Sequence, residues 1–160
     1  EFLPGVPEVM GRLSERFDRI FVVTNQQGIG KGMMTEGDVE RVHARMREVV
    51  AAAGGRIDGI YYCPHLAADK CACRKPRTGL ALQAKADFPE VRFDHSLLAG
   101  DSLSDLRLGH RLGMANVWVD TKEDDRAAIE AAVAAGEVRV DERVMGLPEL
   151  ADLLFISHGS

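Results

Sequence analysis

Apolar residues recur along this chain in two alternating rhythms. Val9, Met10, Leu13 and Phe17 fall at helical spacing, and the next apolar run, Arg19-Ile20-Phe21-Val22-Val23-Thr24, is short and β-branched, as in a buried strand. That run opens into a glycine-rich loop, Asn25 to Gly32. Thr35 followed by Asp38 predicts a helix N-cap, and Val39, Val42, Met46, Val49 and Val50 predict an apolar stripe ending at Gly54-Gly55. The alternation continues with a strand over Ile57–Tyr62, a helix over Leu80–Phe88, a strand over Ser96–Asp101 and a helix over Leu106–Leu112. A strand over Ala115–Val119, a helix over Ala127–Ala135, a short edge strand over Val138–Val140 and a last helix over Leu147–Leu154 complete the pattern. Strands and helices that alternate in this way build βαβ units, so the fold class is α/β, a mostly parallel sheet between two helical layers. Ligands of such sheets bind beyond the carboxyl ends of the strands. That rule selects Thr24-Asn25, the loop after Tyr62 and Gly100-Asp101.

Length and charge narrow the picture. At 160 residues, one domain over residues 1–155 with a short tail over 156–160 is expected, and a monomer is the default. A net charge of −5 argues against a nucleic-acid groove. No apolar run approaches the ~18 residues that would suggest a membrane span, and Glu1-Phe2-Leu3-Pro4 lacks the basic flank of an export signal. All three cysteines lie in one cluster, which fits a metal site in a reducing, cytoplasmic compartment better than disulfides.

Four groups of residues carry the candidate chemistry. Cys63, His65, Cys71 and Cys73 form a Cys₃His set within eleven residues, suited to a closed tetrahedral Zn²⁺ of structural type. Arg74 and Lys75 follow the last ligand directly, one able to grip a phosphate in bidentate fashion and the other to give it a point charge. Thr24 and Asn25 bring a hydroxyl, an amide and free backbone N–H groups to a strand tip, where a phosphate can be held. Asp101 ends a strand and Asp105 lies four residues on. Together they are hard oxygen ligands for Mg²⁺, or Asp105 complements a helix N-terminus instead. His43 stands among charged residues and is expected to be solvated, His95 has no partner set, His110 is expected to meet solvent or a neighbouring helix, and Trp118 reads as core.

In combination these pieces resemble the haloacid dehalogenase (HAD) superfamily, through Thr24-Asn25, Lys75 and Gly100-Asp101-x-x-x-Asp105. Val23 to Ile29, Tyr61 to His65 and Cys71-x-Cys73-Arg74-Lys75-Pro76 are similar to the heptose-bisphosphate phosphatase and histidinol-phosphatase branch. The resemblance implies a Mg²⁺-dependent phosphomonoester hydrolase without a large cap domain, acting on a small phosphorylated metabolite through an aspartyl-phosphate. It implies that Thr24 binds the transferring phosphoryl group, Asn25 supports the loop or contacts substrate, Lys75 neutralises charge and Asp101 ligates Mg²⁺. Gln26, Gln27 and Gly28 would face the substrate, and Arg74 would contact it, with a second phosphate as one target. A heptose 1,7-bisphosphate leads as substrate; histidinol phosphate, a polynucleotide 3′-phosphate and a non-catalytic phosphate-binding module are the alternatives. The family's Asp-x-Asp element, which supplies nucleophile and general acid, is not found in the chain and is expected ahead of Glu1. Ser102 stands where relatives of the heptose enzyme can carry a lysine.

Overall fold

The structure is a computed structural model that describes residues 6–25, 35–63, 75 and 78–152. The chain packs as two compact units, one made of residues up to Cys71 together with those from Leu147 onward, the other of Ala72–Gly146.

The first unit begins with helix α1 (Val6–Arg16), followed by strand β1 (Phe21–Asn25), helix α2 (Glu36–Ala52) and strand β2 (Gly59–Cys63). Residues 147–152 return to it as a helical stretch. Val9 and Leu13 of α1 are buried with Ala151, and Met10, Phe17, Ile20 and Leu147 pack around them. Burying aliphatic side chains of this size contributes about 1.5–3 kcal/mol each. The carboxyl end of α1 is tied down from outside the helix. Arg56 donates from Nη1 to the Ser14 carbonyl at 2.7 Å and from Nη2 to the Phe17 carbonyl. A cation on the last carbonyls of a helix satisfies orphan acceptors and complements the dipole. Asp58 then links this knot to the sheet, accepting from Arg56 Nε at 3.2 Å and from the Ile20 backbone N–H at 2.6 Å.

Helix α2 starts where expected. Thr35 Oγ1 accepts from the Asp38 N–H and an Asp38 carboxylate oxygen accepts from the Thr35 N–H, both at 3.0 Å. This reciprocal box satisfies two donors that a helix start leaves open. The helix forms the crossover between β1 and β2, which pair in parallel from Phe21↔Gly59 to Asn25↔Cys63. The expected stripe needs correcting: Val42 is exposed, and the inward face runs Val39, His43, Met46, Val50. Spacings of four, three and four keep those residues on one side of a 3.6-residue helix. The expectation of a solvated His43 falls with it, since the residue is only 7% exposed and its ring meets Tyr62 of β2 edge-on at 5.3 Å. Burial lowers the His43 pKa below the usual imidazole value, with Glu40 opposing and Arg47 reinforcing the shift.

The second unit contains helix α3 (Gly79–Asp87), a 3₁₀ turn (Phe93–His95), strand β3 (Leu97–Gly100), helix α4 (Leu103–Leu112), strand β4 (Ala115–Val119), helix α5 (Glu123–Ala134) and strand β5 (Glu142–Val144). Its strands lie in the order β3-β4-β5, and both pairings are parallel. As the middle strand, β4 carries the buried run Val117-Trp118-Val119, while β5 exposes Glu142 and Arg143. A continuous apolar strand is what two covered faces require, and charged residues suit an edge. Leu106, Trp118, Ile129, Ala132 and Val138 form the core of this unit.

Two elements depart furthest from the pattern-based expectation. The strand expected at Val138–Val140 lies instead at Glu142–Val144. Buried Asn116 explains the shift, because its side-chain amide donates to the carbonyls of Leu106 (2.8 Å) and Arg139 (2.9 Å). Its backbone N–H also donates to the Asp141 carboxylate at 2.7 Å. The stretch that contains Val138 is therefore held as a loop beside β4. Helix α5 begins four residues earlier than Ala127, with Glu123, Asp124 and Asp125 in its first turn, where acids complement the positive end of the helix. Among the described residues no helix is long and apolar enough to cross a membrane.

Candidate functional site

Gly100 is the last residue of β3, and the chain turns from there through Asp101 into α4. A Cβ on Gly100 would lie 2.3 Å from Cβ of Asp105, so only glycine lets the first turn of α4 settle on the strand tip. Ser102 caps the helix: its Oγ accepts from the Asp105 N–H at 3.3 Å, while Asp105 Oδ2 accepts from the Ser102 hydroxyl at 2.9 Å and, more weakly, from its N–H at 3.4 Å. The helix thus begins three residues ahead of the expected Leu106, and Asp105 lies in its first turn, where an acid complements the helix N-terminus.

The other Asp105 oxygen, Oδ1, accepts from Lys75 Nζ at 2.5 Å. These two side chains are 11% and 13% exposed. An ion pair so far from water recovers its desolvation cost only with good geometry, so it says little about stability. It does fix the ammonium of Lys75 at the carboxyl end of β3. Asp101 stands closer to solvent, at 39% exposure, and its Oδ1 lies 3.4 Å from Lys122 Nζ. Two carboxylates and two ammonium groups are therefore gathered around this strand end, and their formal charges cancel.

The neighbouring strand ends in a third acid. Asp120, at the end of β4, is 2% exposed and accepts from Arg126 Nε at 3.1 Å and from Arg143 Nη2 at 2.5 Å. The Arg143 bond, then Arg126, holds its carboxyl below the usual carboxylate range against the opposing effect of burial. Arg143 also stacks over the Trp118 ring at 4.2 Å. This knot is saturated with its own partners and serves to lock β5 and α5 to β4.

The remaining candidates lie in the first unit or outside the described residues. Thr24 and Asn25 are the last residues of β1, and Cys63 is the last of β2, paired in register with Asn25. The expectations for Gln26, Gln27, Gly28, His65, Cys71, Cys73 and Arg74 fall outside the described residues. Among the described residues no group of three or more His, Cys, Asp or Glu is placed to hold a metal ion. Asp101 nonetheless fits Mg²⁺, which binds through one or two carboxylates and completes its shell with water and phosphate oxygens. His110 is exposed and its Nδ1 accepts from the Arg139 N–H at 3.2 Å, and His95 is exposed beside Asp94. Sequence reasoning missed Lys122 and the Asp120 knot. The available signal was Asp120 itself, an acid directly after a strand, as Asp101 is.

This arrangement, a parallel α/β unit with an acid at the strand tip and a lysine anchored beside it, defines a HAD-type hydrolase fold. Residues 72–144 match a family model described as HAD-hydrolase-like. The D-glycero-alpha-D-manno-heptose-1,7-bisphosphate 7-phosphatase of Mycobacterium tuberculosis is 42% identical over 115 residues, 72% of this chain and 60% of that protein. The D-glycero-beta-D-manno-heptose-1,7-bisphosphate 7-phosphatase of Pseudomonas putida is 36% identical over 124 residues, 78% of this chain and 70% of the relative. Among solved structures, the D,D-heptose 1,7-bisphosphate phosphatase of B. bronchiseptica, complexed with magnesium and phosphate, aligns with a TM-score of 0.80 at 30% identity over 97% of this chain and 84% of its own. The chain belongs to the heptose-1,7-bisphosphate phosphatase family of HAD hydrolases. Its match spans 60% of the length of the M. tuberculosis relative.

Proposed function

We propose that the protein hydrolyses a phosphate monoester of a small sugar bisphosphate, with D-glycero-D-manno-heptose 1,7-bisphosphate as the leading substrate. The observation that carries this reading is the Lys75–Asp105 pair at 2.5 Å beside Asp101 on the β3 tip, in a chain whose relatives bear that name. Lys75, held in one orientation by Asp105, offsets the charge that builds on the transferring phosphoryl group, a preorganised effect that removal of one donor typically reveals as 10²–10³ in kcat. Asp101 would hold Mg²⁺, which when bound supplies positive charge to the phosphoryl oxygens. Asp105, with both oxygens engaged by Lys75 and Ser102, adds negative charge to the metal site and positions the lysine. Thr24 is assigned to the phosphoryl group and Asn25 to the substrate loop with Gln26, Gln27 and Gly28; Arg74 is assigned to the substrate's other end. Cys63, His65, Cys71 and Cys73 would carry a structural Zn²⁺, the donor set that closed zinc sites use.

The test is phosphate release by the protein carrying the expected Asp-x-Asp element. The heptose bisphosphate, histidinol phosphate and a 3′-phosphorylated oligonucleotide are compared at equal concentration. Hydrolysis of the heptose bisphosphate in preference to the others, with kcat reduced about 10²–10³-fold in Lys75→Met, is the expected result. Release from none of the three overturns the reading.

A further inference from the structure

Lys122 is an unusual choice for its position. It occupies the N-cap of α5 with extended backbone geometry and makes no side-chain cap hydrogen bond. Ser, Thr, Asp or Asn would normally stabilise this position. A cation at the start of a helix also runs against the dipole. Three acids follow it on the same helix, Glu123, Asp124 and Asp125, yet the ammonium lies 3.4 Å from Asp101 at the end of the adjacent strand. The parallel pairing of β3 with β4, in register through Gly100↔Trp118, brings the two strand ends to the same side of the sheet. The other acid after β4, Asp120, already has Arg126 and Arg143.

We infer that Lys122 is a positioning residue that competes with the divalent cation for the Asp101 carboxylate and so sets the cation concentration at which the site loads. This inference rests on the reading of Asp101 as the metal-holding acid. The pair is partly exposed, at 53% for Lys122 and 39% for Asp101, so the competition is modest and weakens with salt. Once the cation holds Asp101, the released ammonium stands beside it as a second positive group that a phosphate oxygen can meet. Four charged side chains that sum to zero then accept a doubly positive ion and a doubly negative phosphate without net charge.

The experiment is a Mn²⁺ titration followed by electron paramagnetic resonance, at fixed pH and low salt, on the wild-type protein and its variants. Lys122→Met is expected to tighten Mn²⁺ binding about two- to fivefold, equivalent to ~0.4–1 kcal/mol for an exposed ion pair. Lys122→Arg is expected to bind as the wild type does. Arg92→Met removes one positive charge from the exposed Arg92–Asp94 pair and should leave the titration unchanged. Equal or weaker binding in Lys122→Met, with Asp101→Asn still abolishing binding, overturns the competition alone. Unchanged binding in Asp101→Asn overturns the assignment of Asp101 and the competition with it.

Discussion

His43 is a titratable ring on the inward face of α2, with Tyr62 of β2 against it and Glu40 and Arg47 flanking it on its own helix. Burial favours its neutral form, so the folded-state pKa lies below the model-peptide value of 6.5. Below pH 6.5 the unfolded chain therefore binds more protons at this residue than the native one, and stability falls as pH drops until the folded-state ring also protonates. Urea midpoints should be level in this respect above pH 6.5 and decline below it, and His43→Gln should flatten that part of the profile. A midpoint profile identical in the two proteins would contradict the buried, neutral assignment. The sequence misled at this residue because Glu40, Arg41, Arg45 and Arg47 surround it along the chain. Helical phase, not local composition, decides which way a side chain faces. Lys122 was illegible for a different reason, since its contact with Asp101 exists only once β3 and β4 are side by side.

At the scale of elements, the cap of Thr35 with Asp38 was readable as a short pattern, because capping is local chemistry over four residues, and Ser102 with Asp105 forms a box of the same kind. Packing between elements was not readable. Gly109 lies in α4, and a Cβ there would fall 2.2 Å from Oδ1 of Asn116 on β4. That oxygen is the one buried side-chain polar atom without a hydrogen-bond partner among the described residues. The close approach lets the Asn116 amide reach the carbonyls of Leu106 and Arg139. In most helices Gly→Ala gains about 1 kcal/mol of propensity. Here the sign should reverse, with Gly109→Ala destabilising by about 1–3 kcal/mol through overpacking, as read from urea unfolding. The misplaced β5 has the same origin: Val138 and Val140 look like a strand until Asn116 claims the Arg139 carbonyl.

For the whole molecule, strand–helix alternation carried the fold class, since parallel pairing follows from crossover helices that the periodicity reveals. The first four strands of the pattern held to within two residues at their boundaries, best at β4, where expectation and structure both give Ala115–Val119. The proposed zinc belongs to this scale, because a metal that organises a loop contributes its binding energy to folding. Protein purified without chelator should contain about one equivalent of zinc by elemental analysis. Stripping it with a strong chelator should lower the melting temperature, and Cys71→Ser should start from the lower value. Zinc below half an equivalent, with chelator leaving the melting temperature unchanged, would dismiss the Cys₃His assignment.

The distribution of aromatic side chains has an optical consequence. The one tryptophan, Trp118, is 4% exposed under the Arg143 guanidinium in the second unit, whereas both tyrosines, Tyr61 and Tyr62, lie on β2 of the first. Emission excited at the red edge, where indole alone absorbs, follows the second unit; phenol absorbance, read by difference spectroscopy, follows the first. The native chain thus carries a separate chromophore in each unit, and superposition of the two denaturation curves is a label-free measure of whether the units melt together.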